Sequence, residues 1–243
     1  MGRAHEVRKV AMARTSLLKS KIYSRFGKEI YMAAKAGFPD PDANLALKKA
    51  IEKAKAAQVP TEVIKRNIEK AKGASGEDYT PIRYEGFGWG GCTLIVECMT
   101  DNVNRTFGEV RSIFTKSGAK IGISGSVIHQ YQYIALVMAE GITEDEALEA
   151  VMDAGLEVRD IRTEDDAVSV IGEPTDLESI KEALLKAKPT CDVFEEKVTY
   201  LPNELVELDE EDLRKFYRFR DMTDELDDVQ DVYSNIKLPP EEE

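Results

Sequence analysis

RYEGFGWGGCTLIVECMTDNVNRT, residues Arg83 to Thr106, is the stretch on which the fold of this chain turns. Its centre is an apolar run from Cys92 to Met99, preceded by Gly86, Gly88, Gly90 and Gly91 and followed by Thr100, Asp101, Asn102 and Asn104. Such a run, held between two stretches rich in turn residues, predicts a strand. By the period of two, Cys92, Leu94, Val96 and Cys98 share one face of it, and Thr93, Ile95, Glu97 and Met99 share the other. Val103, Phe107, Val110 and Phe114 then recur at helical spacing, so their apolar stripe can lie back on the strand. The unit reads as loop, strand, polar turn, helix.

Gly86, Gly88 and Gly91 also fit a G-x-G-x-x-G spacing. A dinucleotide cradle needs a strand before its glycines and a helix N-terminus after them, whereas here the strand comes after, so a tight loop is the expectation. With Arg83, Tyr84, Glu85, Phe87 and Trp89 the loop is too aromatic for a plain connector. It is either a contact surface or a buried plug. The adjoining Asn102, Asn104 and Arg105 divide in the same way. They extend the contact surface, or else one asparagine caps the helix while Arg105 pairs with Glu85.

Working outward, the net charge of −13 over 243 residues conceals an asymmetry. Residues 1–76 carry 17 Lys and Arg against 7 Asp and Glu, +10, which leaves 16 cations and 39 acids, −23, for residues 77–243. A basic module joined to an acidic one points to a polyanionic partner for the first. Three cysteines, Cys92, Cys98 and Cys191, and two histidines, His5 and His129, lack metal-ligand spacing, so buried reduced thiols are expected and no metal or cofactor is implied. No window reaches the apolar length of a membrane span. No nucleophile, base and orienting group stand at recognisable spacing, so an enzyme is not expected. The acidic run with Asp224, Glu225, Asp227 and Asp228 lacks further ligands and reads as a solvated face.

The N-terminal arm carries Arg3, Arg8, Lys9 and Arg14. From Ser16 a helix is predicted, with Leu18, Ile22, Phe26, Ile30 and Ala34 inward, Gly37 as its stop, and Lys21, Arg25 and Lys28 gathered beside that stripe. Pro39 to Asp42 would form a turn and the N-cap of a second helix reaching about Ala57, with Leu47, Ile51 and Ala54 inward. Thr61 to Lys72 is a third, with Gly73 past its end. Gly73 to Thr80 reads as a linker. Val127 to Val137 is long enough to serve two sheets. Capping boxes at Thr143 and Glu146, and at Thr175 and Glu178, open two helices among strands at Leu156–Ile161, Ala167–Ile171 and Val193–Leu201. That order is ferredoxin-like. The tail, with a helix opened by Asp209 and a strand from Val229 to Ile236, is too small to fold alone but supplies what the central unit lacks. The expected fold is therefore α+β. A basic three-helix domain (1–76) precedes a discontinuous α/β domain (80–132 with 203–238), into which a ferredoxin-like domain (133–202) is inserted.

RYEGFGWGG followed by TDNVNRT, with Gly125, Ser126 and Val127 further on, resembles the YebC family of small bacterial proteins, which includes a mitochondrial translational activator. The likeness runs from Met1 to about Leu238, departing at Trp89, where proline is usual. It implies the same three-domain arrangement and a cytoplasmic protein. It also implies either a DNA-binding transcriptional regulator or a ribosome-associated factor that relieves stalls at proline runs, with ribosome and tRNA as further partners. The residues themselves support a nucleic-acid ligand, DNA or ribosomal RNA. Arg3, Arg8, Lys9, Arg14, Lys21, Arg25 and Lys28 are the candidates for phosphate contact. Arg83, Tyr84, Glu85, Gly86, Gly88, Trp89, Asn102, Asn104 and Arg105 form the candidate functional loop. The other class left open is a protein-protein adaptor in which the basic arm is incidental.

Overall fold

A computed structural model describes residues 21–73, 79–164 and 167–237. The chain divides into two compact units, one taking the chain up to Ser124 together with Leu208–Val232, the other Gly125–Glu207 with Tyr233–Glu243. The fold is α+β, with helices followed by two four-stranded sheets.

In the first unit, α1 covers residues 21–36, α2 is Leu45–Ala56 and α3 is Thr61–Lys72. Ile30, Ala34, Leu47, Ala50, Ile51, Ala54, Val59 and Ile64 form their common core. The predicted start of α1 at Ser16 lies outside the described residues. The cap of α2 is Asn44, not the preceding Pro-Asp turn: its side chain accepts from Leu47 N at 3.0 Å while its amide reaches Ala33 O and Phe38 O, which ties the connection to α1. Between α2 and α3 the chain reverses at Gln58, a non-glycine residue at φ 58°, and the Val59 amide reaches back to Ala54 O.

The central stretch differs from its sequence reading in one respect that reorganises the rest. Residues read there as linker and loop form β1 (Thr80–Phe87), paired along its length with β2 (Thr93–Thr100), from Thr80 opposite Thr100 to Phe87 opposite Thr93. Glycine and charged residues have little intrinsic strand preference, and pairing with a buried neighbour overrides that. The glycines make the hairpin. Gly90 and Gly91 sit at φ 58° and 81°, and Cys92 N donates to Trp89 O at 2.8 Å, the geometry that suits twisted strands. Gly86 has a different task. A Cβ there would strike the Phe114 ring and come within 2.5 Å of Lys120 O. Only glycine lets α4 (Val103–Ser117) pack against the sheet.

Gly118, at φ 80°, ends α4, and the two-residue β3 (Lys120–Ile121) pairs with β1. The first sheet is completed from the far end of the chain. Asp209 caps α7 (Glu210–Asp224), which leads to β8 (Val229–Ser234) beside β2, for an order β3-β1-β2-β8. Phe114, Phe219 and Trp89 meet edge to face beneath the hairpin, with centroids 5.0 and 6.3 Å apart. The last strand is shorter than predicted. It stops at Ser234, and Ile236 makes one isolated parallel bridge with Val206.

The second unit holds β4 (Tyr131–Glu140), α5 (Glu144–Asp153), β5 (Val158–Glu164), β6 (Ala167–Gly172), α6 (Leu177–Ala187) and β7 (Asp192–Pro202), in sheet order β5-β6-β4-β7. This is the split βαβ arrangement of a ferredoxin-like domain. The first sheet repeats its spatial order with permuted connections: β2-α4-β3 straddles β1 as β4-α5-β5 straddles β6. The long strand predicted to serve both sheets serves only this one, because residues 128–130 turn as a 3-10 helix before β4 begins. Thr143 and Glu146 form their capping box, but Thr175 does not, since Pro174–Asp176 is itself a 3-10 turn and its hydroxyl turns to Asp176.

Candidate nucleic-acid interface

The four arm cations Arg3, Arg8, Lys9 and Arg14 lie outside the described residues. The other three expected phosphate ligands are on α1, and each meets a carboxylate of the returning C-terminal segment. Lys21 reaches Asp224 at 3.3 Å and the Thr223 carbonyl, and Arg25 forms a bidentate pair with Asp231 at 2.7 and 3.0 Å. Lys28 is only 8% exposed. Its ammonium donates to Asp228 Oδ1 (2.7 Å), Asp227 O (2.9 Å) and Met99 O (3.0 Å), which uses all three of its protons. The cationic stripe on α1 is thus engaged within the protein, and of the acidic run Asp228 is buried while Asp224, Glu225 and Asp227 are exposed.

Asp228 is the centre of that joint. Its Oδ2 accepts from the Thr100 hydroxyl at 2.8 Å and Arg105 Nη2 at 2.9 Å, and lies 2.7 Å from the Thr106 hydroxyl. Burial alone would raise this carboxyl. The hydrogen bonds from Lys28, Arg105, Thr106 and Thr100 outweigh it and hold the group well below the usual carboxylate range. Arg105 completes the network through Asp101 at 2.7 Å, not through Glu85, whose partner is Arg83 at 3.5 Å. Asn102 caps α4, accepting from Arg105 N at 3.1 Å. The polar turn from Thr100 to Thr106 therefore joins α1, β2, α4 and the start of β8.

The candidate loop is mostly interior. Glu85 is 2% exposed, Trp89 8% and Tyr84 7%, so none of the three presents a contact surface. The Trp89 indole donates to Ser117 O at 3.1 Å, and burial pushes the Tyr84 phenol up to about 12. Gly86 and Gly88 are held by close neighbours, the Phe114 ring and the Cys92 sulfur. Of the nine residues named for that loop, Asn104 is the exposed one with no structural task among the described residues. Burial raises the Cys92 thiol to about 11 and Cys98 to about 12, which leaves both as inert core thiols.

Five outward cations are on α2 and α3, while Arg111, Lys116 and Lys120 are exposed on later elements. Lys48, Lys53, Lys55, Lys65 and Arg66 are exposed and have no carboxylate partner among the described residues. Sequence reasoning gives all three helices basic outer faces but names candidates only on the arm and α1, although the spacing of these cations on both edges of two amphipathic helices was available to it. Among the described residues no helix could cross a membrane, and no group of three or more His, Cys, Asp or Glu could hold a metal.

Comparison with known proteins gives a consistent result. The family model described as the TACO1/YebC N-terminal domain matches residues 3–74, and that of the TACO1/YebC second and third domain matches residues 79–236. A "probable transcriptional regulatory protein" of Alteromonas mediterranea is 47% identical over 239 residues, covering 98% of this chain and 100% of the relative. A protein of the same description from Vibrio cholerae is 48% identical over 238 residues, with the same coverage. In three dimensions the chain is similar to a conserved hypothetical protein from Aquifex aeolicus, with TM-score 0.75, 34% identity and 91% of each chain covered.

Proposed function

The chain belongs to the TACO1/YebC family, and from that premise we propose that it regulates gene expression by binding nucleic acid through the outward faces of α2 and α3. The observation that carries this reading is that five cations of α2 and α3, Lys48, Lys53, Lys55, Lys65 and Arg66, have no carboxylate partner among the described residues of a chain whose net charge is −13. Cations left without carboxylates on so acidic a molecule attract a polyanion, and each phosphate neutralised releases counterions. The names carried by the bacterial relatives support a role in transcription.

A second reading draws on how those cations are placed. They are dispersed along both edges of two helices, not focused at one helix end, which suits shape and phosphate recognition of folded RNA better than base reading in a DNA groove. A ribosome-associated translation factor fits that placement.

The test is binding of the full chain to mixed-sequence duplex DNA and to a structured RNA at rising salt. Changing Lys48, Lys55 and Lys65 together to Gln should flatten the salt dependence by up to about three units of logarithmic slope. An unchanged slope would leave these cations merely solvated and favour the adaptor. The preferred polymer separates the transcriptional reading from the translational one.

A further inference from the structure

Resting on that nucleic-acid reading, we propose that the groove between α1 and α3 seats the phosphodiester backbone of an unpaired strand, with Arg66 and Ser24 as its hydrogen-bond donors. The groove encloses about 530 Å³, and no carboxylate lines it. Two of its lining groups, the Arg66 guanidinium and the Ser24 hydroxyl, have no partner among the described residues. A guanidinium offers a fork of donors matched to a phosphate, and a hydroxyl adds a further one. Lys70 stands one turn from Arg66 on the same edge of α3, its ammonium 5.9 Å from the Tyr79 ring centroid and 5.8 Å from that of Tyr31. Lys28, also in the lining, is already neutralised by Asp228, so the charge surplus of the groove lies with Arg66.

The walls limit what can enter. Beneath the groove the helices come close enough that a Cβ on Gly27 would lie 2.8 Å from the Asn67 amide nitrogen, which itself donates to Val63 O. Helices packed in this way have axes about 8–10 Å apart, so the space between their outer side chains admits one strand and not a duplex. Tyr23 and Tyr79, both half-buried in the lining, give a sugar or base an aromatic wall. The outer cations of α2 and α3 would hold any polyanion, whereas this groove selects unpaired segments.

The experiment is fluorescence anisotropy of the full chain with labelled rU12, dT12 and a 12-base-pair duplex across a salt series, for wild type, Arg66→Gln, Ser24→Ala and Lys48→Gln/Lys55→Gln. Arg66→Gln should weaken binding of the single strands about tenfold and lower their salt slope by about 0.7, with duplex binding changed less than twofold. Lys48→Gln/Lys55→Gln should weaken strand and duplex alike. The ratio of rU12 to dT12 affinity identifies which polymer supplies the phosphodiester. Uridine monophosphate that competes at the same concentration as rU12 would make the ligand a free nucleotide and overturn the proposal. So would equal losses on strand and duplex, or no loss at all in a variant whose circular dichroism and melting match wild type. If wild type binds no oligonucleotide even at low salt, the broader nucleic-acid reading fails. If it binds but ignores Arg66→Gln, the groove alone does.

Discussion

Asp228→Asn should unfold the first unit at markedly lower denaturant. The substitution keeps the shape of the side chain but removes the charge that Lys28 faces at 2.7 Å in a site where both side chains are under a tenth exposed. It also turns one acceptor oxygen into a donor amide, which faces either the Lys28 ammonium or the Thr100, Thr106 and Arg105 donors that now share Oδ2. Breaking a buried pair by removing one partner costs about 3–5 kcal/mol, because the other charge is left uncompensated. At a urea dependence of about 2 kcal/mol per molar, the midpoint should fall by about 2 M. Trp89, the single tryptophan, is buried in the same unit, so its fluorescence follows this transition. Acidification gives a second readout. The folded Asp228 carboxyl ionises below its unfolded value of about 3.9, so its stabilisation is complete above that value and disappears as pH falls toward the folded one. Wild type should therefore lose stability below about pH 4 more steeply than the variant. A midpoint shift under about 0.5 M at pH 7, with the acid limbs of wild type and variant parallel, would refute the assignment of Asp228 as the hub.

Gly86→Ala should prevent the hairpin and α4 from packing, since the obstacle includes the Lys120 backbone oxygen; little folded protein at 25 °C is the expected result, and a wild-type melt would contradict it. Gly108→Ala should act the other way: a Cβ there meets nothing within 4 Å on an α4 exposed to solvent, so helix propensity should raise stability by up to about 1 kcal/mol, read by thermal melting. Asn102→Ala should cost about 1 kcal/mol through loss of the α4 cap, with cellular function falling only as far as the folded fraction does. Cys92, Cys98 and Cys191 should resist a thiol reagent at pH 8 in the native state and react together after unfolding in urea.

Local signals located several elements closely. The period of Ile64 and Ile68, bounded by Pro60 and Gly73, marks α3 from Thr61 to Lys72, and the apolar run after the glycines marks β2 within one residue. The βαββαβ order of the second unit follows from alternating periods and one true capping box. β1 escaped because the residue that makes it possible, Gly86, looks like a loop residue, and the reason for it, the Phe114 ring, comes 28 positions later. The hub escaped for the same reason on a larger scale. Thr100 lies 128 residues from Asp228 and Lys28 lies 200 away, so no window of sequence contains the pair.

Lys21, Arg25 and Lys28 share one face of α1, as the period predicts. Periodicity places cations side by side on a helix, but it cannot say whether water, a ligand or the protein's own carboxylates will face them. Here the carboxylates do, and this alters what the charge asymmetry means. Part of the +10 of the first 76 residues is matched by Asp224, Asp228 and Asp231 within the same compact unit, where it fastens α1 to the returning segment. Among the described residues of that stretch, the surplus left for an outside polyanion is smaller, lies on α2 and α3, and excludes the residues whose loss would damage the fold. Charge variants on α1 therefore confound binding with stability. Variants at Lys48, Lys55, Lys65 and Arg66 separate the two, because those side chains support nothing within the described chain.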